Sequence, residues 1–438
     1  MTGTDSPRAI LLRRLFLALF CIIAAVFCFA PIRNQLRGGS TKDYPLWFDT
    51  GQRVLHGDSP YYKDRHNEFP FMYPPGASVL LAPITVFGKL PMMIVLVAIN
   101  TFAWVVCILA PIYLVAGTTR QQPLILYVLP TAVCIVYIWS SYLLGNPPIV
   151  LAACVLGMFI CLRKRIDWSA GLLLALAAGF KAFPILAVPY LMWRRHWRAL
   201  GYTVAFLFIL LLVLPALFRG VHGAAADLNL WTHDTLGSYN GEQIGQRKQR
   251  SYLWKNGSIF AEAHRLLRSG VVADYDDNSP EEPALTVNVA SLSFTQVNLV
   301  ILIATAILCG SYLLVMPRGA NRTPWSDAIE GAMLMILIIT YTPLSFTYNN
   351  SWLMLPIVVV LYFICCKARS ATEKRLAVAW LAIALLLLIF TAGKIPFFRY
   401  MRSLGNTFWC CMLLYAELIW IMLQARRESN VLQPEQSV

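Results

Sequence analysis

Long apolar segments recur along this chain, and they restrict its fold more than any other feature. Several of them approach or exceed the roughly 20 mostly apolar residues that a membrane-spanning helix needs. Of the 438 residues, 58% are hydrophobic and only 13% are charged, whereas a soluble domain carries about 25% charged residues. We therefore predict an all-α polytopic membrane protein that forms one integral membrane domain over residues 1–438.

The apolar runs alternate with short basic clusters, and this alternation predicts the orientation of the chain. Clusters of Lys and Arg mark cytoplasmic loops, so the net charge of +14 reflects membrane topology and predicts no nucleic-acid partner. With the main clusters in the cytoplasm, about twelve crossings or half-crossings follow, and both termini lie inside. The runs cover about residues 14–33, 94–116, 124–142, 148–162, 168–179, 183–193, 199–218, 293–316, 328–342, 351–366, 375–392 and 406–424.

Two apolar stretches do not fit a simple crossing. The stretch of about 71–89 must begin and end on the same side, and prolines interrupt it, which predicts an interfacial or re-entrant helix. The run 168–193 has basic clusters at both ends and holds Lys181 and Pro184 in its middle. We predict a helical hairpin there. The alternative is one long span whose lysine extends toward the membrane surface.

Two long loops are expected on the extracytoplasmic side, 34–92 with interfacial helices and 219–292. Loops of this length are uncommon unless they are functional or disordered. Asp43 lies in the first, about ten residues beyond the first span and among aromatic residues. A carboxylate held at a partly dry surface is a candidate general base. The alternative is a solvated carboxylate or a helix cap.

The first loop also contains four candidate substrate-binding residues. Aromatic side chains and a further acid there could hold a polar ligand against the membrane surface. For the acid the alternative is a plain turn, because it stands in an Asp-Ser-Pro sequence. The four residues are Trp47, Asp58, Tyr61 and Tyr73.

Cations in unusual places are candidate partners for a phosphate. Lys181 is flanked by apolar residues, where a charge is costly and usually functional, and a lysine serves as a point-charge partner for phosphate. Lys394, Arg399 and Arg402 lie in a loop predicted to be outside, where basic residues are disfavoured. For these three, contact with anionic lipid head groups is an equal alternative.

Polar side chains where other apolar spans end on the outside could line a pocket for the substrate. Plain turns are the alternative. These residues are Asn146, Asn256, Ser345, Tyr348 and Asn349. Loop histidines lack metal-ligand spacing, so we predict no metal site and no cofactor. Nucleotide-binding motifs are missing from the sequence. A substrate that arrives through the lipid is therefore favoured.

Several motifs in this chain, taken in order and spacing, resemble one family. They are Asp43-Tyr44-x-x-Trp47-Phe48, Pro60-Tyr61, Phe71-x-Tyr73-Pro74-Pro75, Gly145-Asn146, Gly171 through Lys181-x-x-Pro184, Asn256-x-Ser258 and Pro343-x-Ser345-Phe346. To about residue 365 the chain resembles glycosyltransferase family 87, whose members are enzymes of the GT-C fold.

This resemblance implies a hexosyltransferase that uses a polyprenyl-phosphate sugar, most often mannose, at the extracytoplasmic face. It implies inversion at the anomeric carbon, no metal, a lipid or glycan acceptor, and a general base at the position of Asp43. The family usually has histidines after its Pro-x-Ser motif, and here Thr347, Tyr348 and Asn349 stand there instead. A multi-pass protein of a bacterial inner (plasma) membrane, in contact with membrane lipids, is expected.

A secondary transporter of a polar or lipid-linked substrate is the alternative function. Transporters also combine many crossings with broken helices near the substrate. They should show internal repeats, which we do not find in this sequence, and two long outer loops would be surplus to transport. The enzyme is therefore the favoured interpretation.

The predicted orientation can be tested by cysteine labelling. In a cysteine-depleted background, a cysteine at residue 240 should react with an impermeant reagent from the extracytoplasmic side, because the basic clusters place loop 219–292 outside. A cysteine at Arg165 is the control and should react from the cytoplasm only. Labelling of residue 240 from the cytoplasm alone would refute this topology.

Overall fold

The chain is helical throughout the part that the structure, a computed structural model, describes. That part comprises residues 7–62, 71–236, 252–271, 285–317, 319–389 and 396–431. No β-strand forms within these ranges, and one isolated bridge joins Asn256 to Phe346. The predicted all-α class is confirmed. Lys394 and much of loop 219–292 fall outside the described residues.

The chain divides into two compact units. Unit 1 comprises Met1–Tyr113 and Thr118–Asp234, and unit 2 comprises Leu114–Gly117 and Thr235–Val438. The helices α1 to α10 are Pro7–Leu36, Asp43–Leu55, Pro75–Thr85, Lys89–Ala116, Ile125–Leu144, Pro148–Arg163, Asp167–Phe180, Val188–Trp193, Trp197–Phe208 and Leu214–Leu236. The helices α11 to α17 are Ile259–Leu267, Phe294–Val315, Pro324–Tyr341, Met354–Tyr362, Ala371–Ile389, Pro396–Ser403 and Asn406–Val431.

Seven helices of the described part are long and apolar enough to cross a membrane. They are Ile10–Leu36, Lys89–Ala116, Ile125–Leu144, Trp197–Asp234, Phe294–Val315, Thr347–Lys367 and Asn406–Arg427. Four further apolar helices are shorter, namely Pro75–Thr85, Pro148–Arg163, Asp167–Phe180 and Phe183–Trp193. The polytopic character is therefore confirmed, while the number of about twelve crossings stays a prediction.

Both stretches that were predicted to differ from simple spans are irregular. Helix α3 has only 11 residues and contains Pro83, so it is too short to cross a bilayer. Helix α7 ends at Phe180, Lys181 has extended backbone angles (φ −148°, ψ 123°), and a short 3₁₀ helix follows at Phe183–Ala187. The predicted helix break is present, and one continuous helix through Lys181 is excluded.

Aromatic and hydroxyl side chains pack α1 against α4 and α5 in unit 1. The Phe27 ring lies 5.5 Å from Trp104 and 5.6 Å from Tyr142, between ring centroids. Thr101 and Tyr142 share a hydrogen bond of 2.8 Å, which joins α4 to α5. Polar side chains that bond across helices in this way satisfy groups that lipid cannot.

Helices α7 and α9 approach closely because a glycine lies between them. A Cβ atom on Gly171 would lie 2.5 Å from Tyr202 Cβ and 2.8 Å from the Ala199 carbonyl oxygen. No real Cβ is accommodated at such distances, so a larger residue would push the helices apart. Small residues at helix contacts are typical of membrane bundles.

We predict that Gly171→Ala lowers the thermal unfolding midpoint of the detergent-purified protein, because overpacking of this kind costs about 1–3 kcal/mol. Gly201→Ala is the matched control on α9, where nothing lies within 4 Å of the added Cβ. That change should be neutral or slightly stabilising, since Ala favours helices over Gly. Equal midpoints for the two variants would contradict the close packing of α7 on α9.

Candidate functional site

Asp43 is the first residue of α2, and a short segment separates it from the end of α1 at Leu36. The carboxylate is half-buried and lies in the first helical turn, where a negative charge interacts favourably with the helix dipole. The preceding residue, Lys42, has a positive φ of 52°, so the chain turns sharply just before the acid. This turn places Asp43 at the start of a helix that packs onto other helices of unit 1.

Two aromatic residues of α2 attach it to the C-terminal end of α5. The Tyr44 hydroxyl donates to the Tyr142 carbonyl and the Trp47 indole N–H donates to the Gly145 carbonyl, both at 2.8 Å. Both aromatic side chains are almost fully buried. Because the last carbonyls of a helix have no partner within it, these donors satisfy groups that burial would otherwise leave unpaired.

Gly145 has to be a glycine for this attachment to form. Its φ is +73°, in the left-handed region, and a Cβ there would lie 3.0 Å from the Tyr44 ring. The residue ends α5 and turns the chain so that Asn146 follows directly beside Asp43.

Asn146 holds the Asp43 carboxylate. Its side-chain nitrogen donates to Asp43 Oδ2 at 2.7 Å, and its side-chain oxygen accepts from the Tyr73 hydroxyl at 3.5 Å. Asn146 is 5% exposed, so its orientation is fixed by these contacts. Three predicted site residues from distant parts of the sequence thus form one chain of hydrogen bonds.

Lys181 also lies beside Tyr73. Its Nζ is 5.8 Å from the centre of the Tyr73 ring and 5.7 Å from that of Phe183, within the range of a cation–π contact. Trp47 completes the cluster, with its ring 4.4 Å from Tyr73. Burial lowers the pKa of Lys181 to about 8, although the Asp43 carboxylate acts in the opposite direction.

The remaining candidates of the first loop differ in position. The Tyr61 hydroxyl donates to the Tyr73 carbonyl at 2.8 Å, so Tyr61 supports the cluster through the backbone. Asp58 is exposed in the turn that follows α2, where its N–H bonds to the Arg53 carbonyl. The turn interpretation fits Asp58, and its substrate contact stays a prediction.

The sequence analysis missed a salt bridge within α10, and both of its residues also hydrogen-bond to this loop. Arg219 Nε lies 2.9 Å from Asp227 Oδ2, and the guanidinium also donates to the Gly57 carbonyl. Ser59 Oγ donates to Asp227 Oδ1 at 2.6 Å. The only signal in the sequence was an acid buried in a mostly apolar helical stretch, and Asp227 is 4% exposed.

In unit 2, Asn256 holds two loops together. Its side-chain nitrogen donates to the Pro343 carbonyl at 2.8 Å, and its side-chain oxygen accepts the N–H groups of Ser345 at 2.9 Å and Ser258 at 3.1 Å. The side chain is fully buried and engaged with backbone. Asn256 is therefore held by backbone groups of both loops, and its contact with a substrate stays a prediction.

The other predicted residues of unit 2 lie in or near the 3₁₀ helix Thr347–Leu353. Ser345 is buried, and Tyr348 is half-buried with its ring 5.8 Å from Phe346. Asn349 is fully buried, and neither polar atom of its amide has a partner among the described residues. An unpaired buried amide is costly, so Asn349 remains a candidate for contact with a ligand.

Both described cations of the predicted outer loop, Arg399 and Arg402, lie on α16. The Arg402 guanidinium lies 3.4 Å above the Trp254 ring, and Arg399 is half-buried. Their contact with a donor phosphate stays a prediction. No group of three or more His, Cys, Asp or Glu suited to a metal ion occurs within the residues that the structure describes.

Comparisons with known proteins agree with the resemblance found in the sequence. The family model for glycosyltransferase family 87 matches residues 71–340, a range that includes Tyr73, Asn146 and Lys181. Asp43 lies before this range, and the segment after Pro343 lies beyond it. The assignment of Asp43 therefore depends on its geometry and on the motif around it.

Two curated mycobacterial proteins are similar to the chain. One, from Mycobacterium tuberculosis (strain ATCC 25618 / H37Rv), is a polyprenol-phosphate-mannose-dependent alpha-(1-2)-phosphatidylinositol mannoside mannosyltransferase, 27% identical over 51% of this chain and 58% of its own length. The other, from Mycolicibacterium smegmatis (strain ATCC 700084 / mc(2)155), is a polyprenol-phosphate-mannose-dependent alpha-(1-2)-phosphatidylinositol pentamannoside mannosyltransferase. It is 27% identical over 34% of this chain and 35% of its own length. The match thus spans 58% and 35% of the lengths of these two relatives.

Proposed function

Because this chain belongs to glycosyltransferase family 87, we propose that it transfers a hexose, mannose in the first instance, from a polyprenyl-phosphate donor to a lipid or glycan acceptor. We place the reaction at the extracytoplasmic face of a bacterial inner membrane. The names of the two mycobacterial relatives support the donor and a phosphatidylinositol mannoside type of acceptor. Family membership also favours an enzyme over the transporter alternative.

The observation that carries this proposal is the arrangement around Tyr73. The Tyr73 hydroxyl donates to Asn146, which in turn holds the Asp43 carboxylate. The ammonium group of Lys181 lies against the Tyr73 ring. Glycosyl transfer from a phosphate needs a base for the acceptor and a cation for the leaving group. The cluster contains both.

In the proposed reaction the acceptor hydroxyl oxygen attacks the anomeric carbon of the donor. The new C–O bond forms as the bond from that carbon to the phosphate oxygen breaks, and the pair of electrons leaves with the phosphate. Asp43 takes the hydroxyl proton, and Lys181 neutralises the charge on the departing polyprenyl phosphate. A single displacement of this kind inverts the anomeric carbon.

The aromatic cluster around these groups has two effects. Trp47 and Tyr73 offer ring faces for the apolar side of a sugar. The same rings exclude water from Lys181, which strengthens its attraction for a phosphate. The pocket can therefore orient the donor and stabilise its leaving group.

We predict that Asp43→Asn lowers turnover by roughly 10²–10⁴-fold, the usual contribution of a positioned general base. The amide keeps the size of the carboxylate and removes its basicity, so donor binding should persist. Transfer of radiolabelled mannose from a polyprenyl-phosphate donor to a lipid extract measures the effect. Asp49→Asn and Asp58→Asn, both at exposed positions, are the controls and should cost much less. A dead control beside an active Asp43→Asn enzyme would show that the base is misassigned.

The lowered pKa of Lys181 predicts that kcat/KM for the donor depends on pH. A lysine is charged below its pKa, which is about 8 here, so kcat/KM for the donor should fall as pH rises through this value. Lys181→Arg keeps the charge at all these pH values and should move the fall to higher pH. Lys181→Ala should raise KM for the donor or abolish turnover. A pH profile that is identical in the wild type and Lys181→Arg would contradict the phosphate role.

A further inference from the structure

A groove with a charged end opens between α1, α4 and the start of α5. Its volume is about 310 Å³, which is within the usual range for pockets that bind small molecules. Apolar side chains form most of its wall, among them Phe16 and Phe20 of α1 and Val105 of α4. Arg13 and Thr119 supply polar groups to its wall. All of these residues belong to unit 1.

The groove and the Asp43 cluster lie toward opposite ends of α1. Arg13 lies two turns into this helix, whereas Asp43 follows its last residue, Leu36. Residues 13 and 36 are 23 positions apart, which corresponds to about 35 Å of helix at 1.5 Å per residue. That length exceeds the roughly 30 Å of a bilayer core. The groove therefore opens in the membrane leaflet opposite the proposed donor site, whichever leaflet faces the cytoplasm.

The chemistry of the groove matches a lipid with a negative head group. Its walls consist of spanning helices, so its occupant comes from the bilayer and is largely apolar. Arg13 Nη2 donates to the Gln122 carbonyl at 3.1 Å, which holds the guanidinium where it lines the groove. Arginine binds phosphate through paired N–H groups. Two exposed arginines adjoin groove residues in the sequence, Arg14 next to Arg13 and Arg120 next to Thr119. The positive charge and the apolar wall together select an anionic amphiphile.

We propose that this groove binds one acyl chain of an anionic glycerophospholipid, whose phosphate contacts Arg13. The lipid fills space beside α1, since only 11% of the most apolar 18-residue segment of this helix is buried. By packing against Phe16 and Val105 it joins α1 to α4. Helix α1 leads directly to α2 and Asp43, so a bound lipid stabilises the approach to the candidate site. This proposal does not depend on the proposed reaction.

The test measures lipid retention and stability on the full-length protein. The protein is purified in detergent with phosphatidylglycerol or phosphatidylcholine added, and bound lipid is counted by native mass spectrometry. Unfolding midpoints are then compared in nanodiscs of phosphatidylcholine with and without phosphatidylglycerol. We expect retention of one phosphatidylglycerol in preference to phosphatidylcholine, and a higher midpoint when phosphatidylglycerol is present.

Two pairs of matched variants locate the site. Arg13→Gln should weaken phosphatidylglycerol retention about tenfold, as expected for the loss of a hydrogen bond to a charged group, and should remove the midpoint gain. Arg14→Gln, one residue away and outside the groove, should change neither. Val105→Phe should block the chain, whereas Val106→Phe should not, since Val106 does not line the groove.

Three outcomes would overturn the proposal. One is equal retention of the two phospholipids by the wild type. Another is equal loss of phosphatidylglycerol in Arg13→Gln and Arg14→Gln, which would indicate a diffuse charge effect. The third is preferential retention of an added polyprenyl phosphate that Arg13→Gln abolishes, because it would make the groove a site for a carrier lipid.

Discussion

The attachment of α2 to the C-terminal end of α5 determines the geometry of the candidate site. The carbonyls of Tyr142 and Gly145 would be unpaired in an apolar setting, where each such group costs several kcal/mol. Tyr44 and Trp47 supply the missing donors and, being three residues apart, lie on one face of α2. Asp43, the neighbour of Tyr44, is thereby placed against Asn146. The same contacts that stabilise the helix end thus orient the carboxylate.

The two charged residues of the candidate site could be proposed from the sequence because each is locally unusual. Lys181 is a charge among apolar residues, and Asp43 is an acid among aromatic ones. Such residues are costly unless a function or a partner justifies them. Their proximity could not be predicted in the same way. The bond between Asn146 and Asp43 joins residues 103 positions apart, and only the packing of α2 on α5 brings them together.

The contacts that the sequence analysis did not predict share one physical origin. The side-chain amide of Asn256 bonds to the backbone of a loop almost 90 residues away. Arg219 and Asp227 are eight residues apart, beyond the three- or four-residue spacing that marks a local ion pair on a helix. A kink at Gly220, with φ +67° and ψ 166°, changes the helix direction between them. The sequence spacing marks neither contact, and the only hint in the sequence is the acid Asp227 within a mostly apolar stretch.

The electrostatic attraction between Asp43 and Lys181 has a consequence for the proposed reaction. Before transfer, the Asp43 carboxylate favours the charged form of Lys181, against the burial that disfavours it. When Asp43 accepts the acceptor proton, it loses its charge and this support disappears. At the same moment the departing phosphate gains negative charge and replaces the carboxylate as the partner of Lys181. Lys181 therefore keeps a negatively charged partner throughout, and its attraction for the leaving group is strongest when the bond to the phosphate breaks.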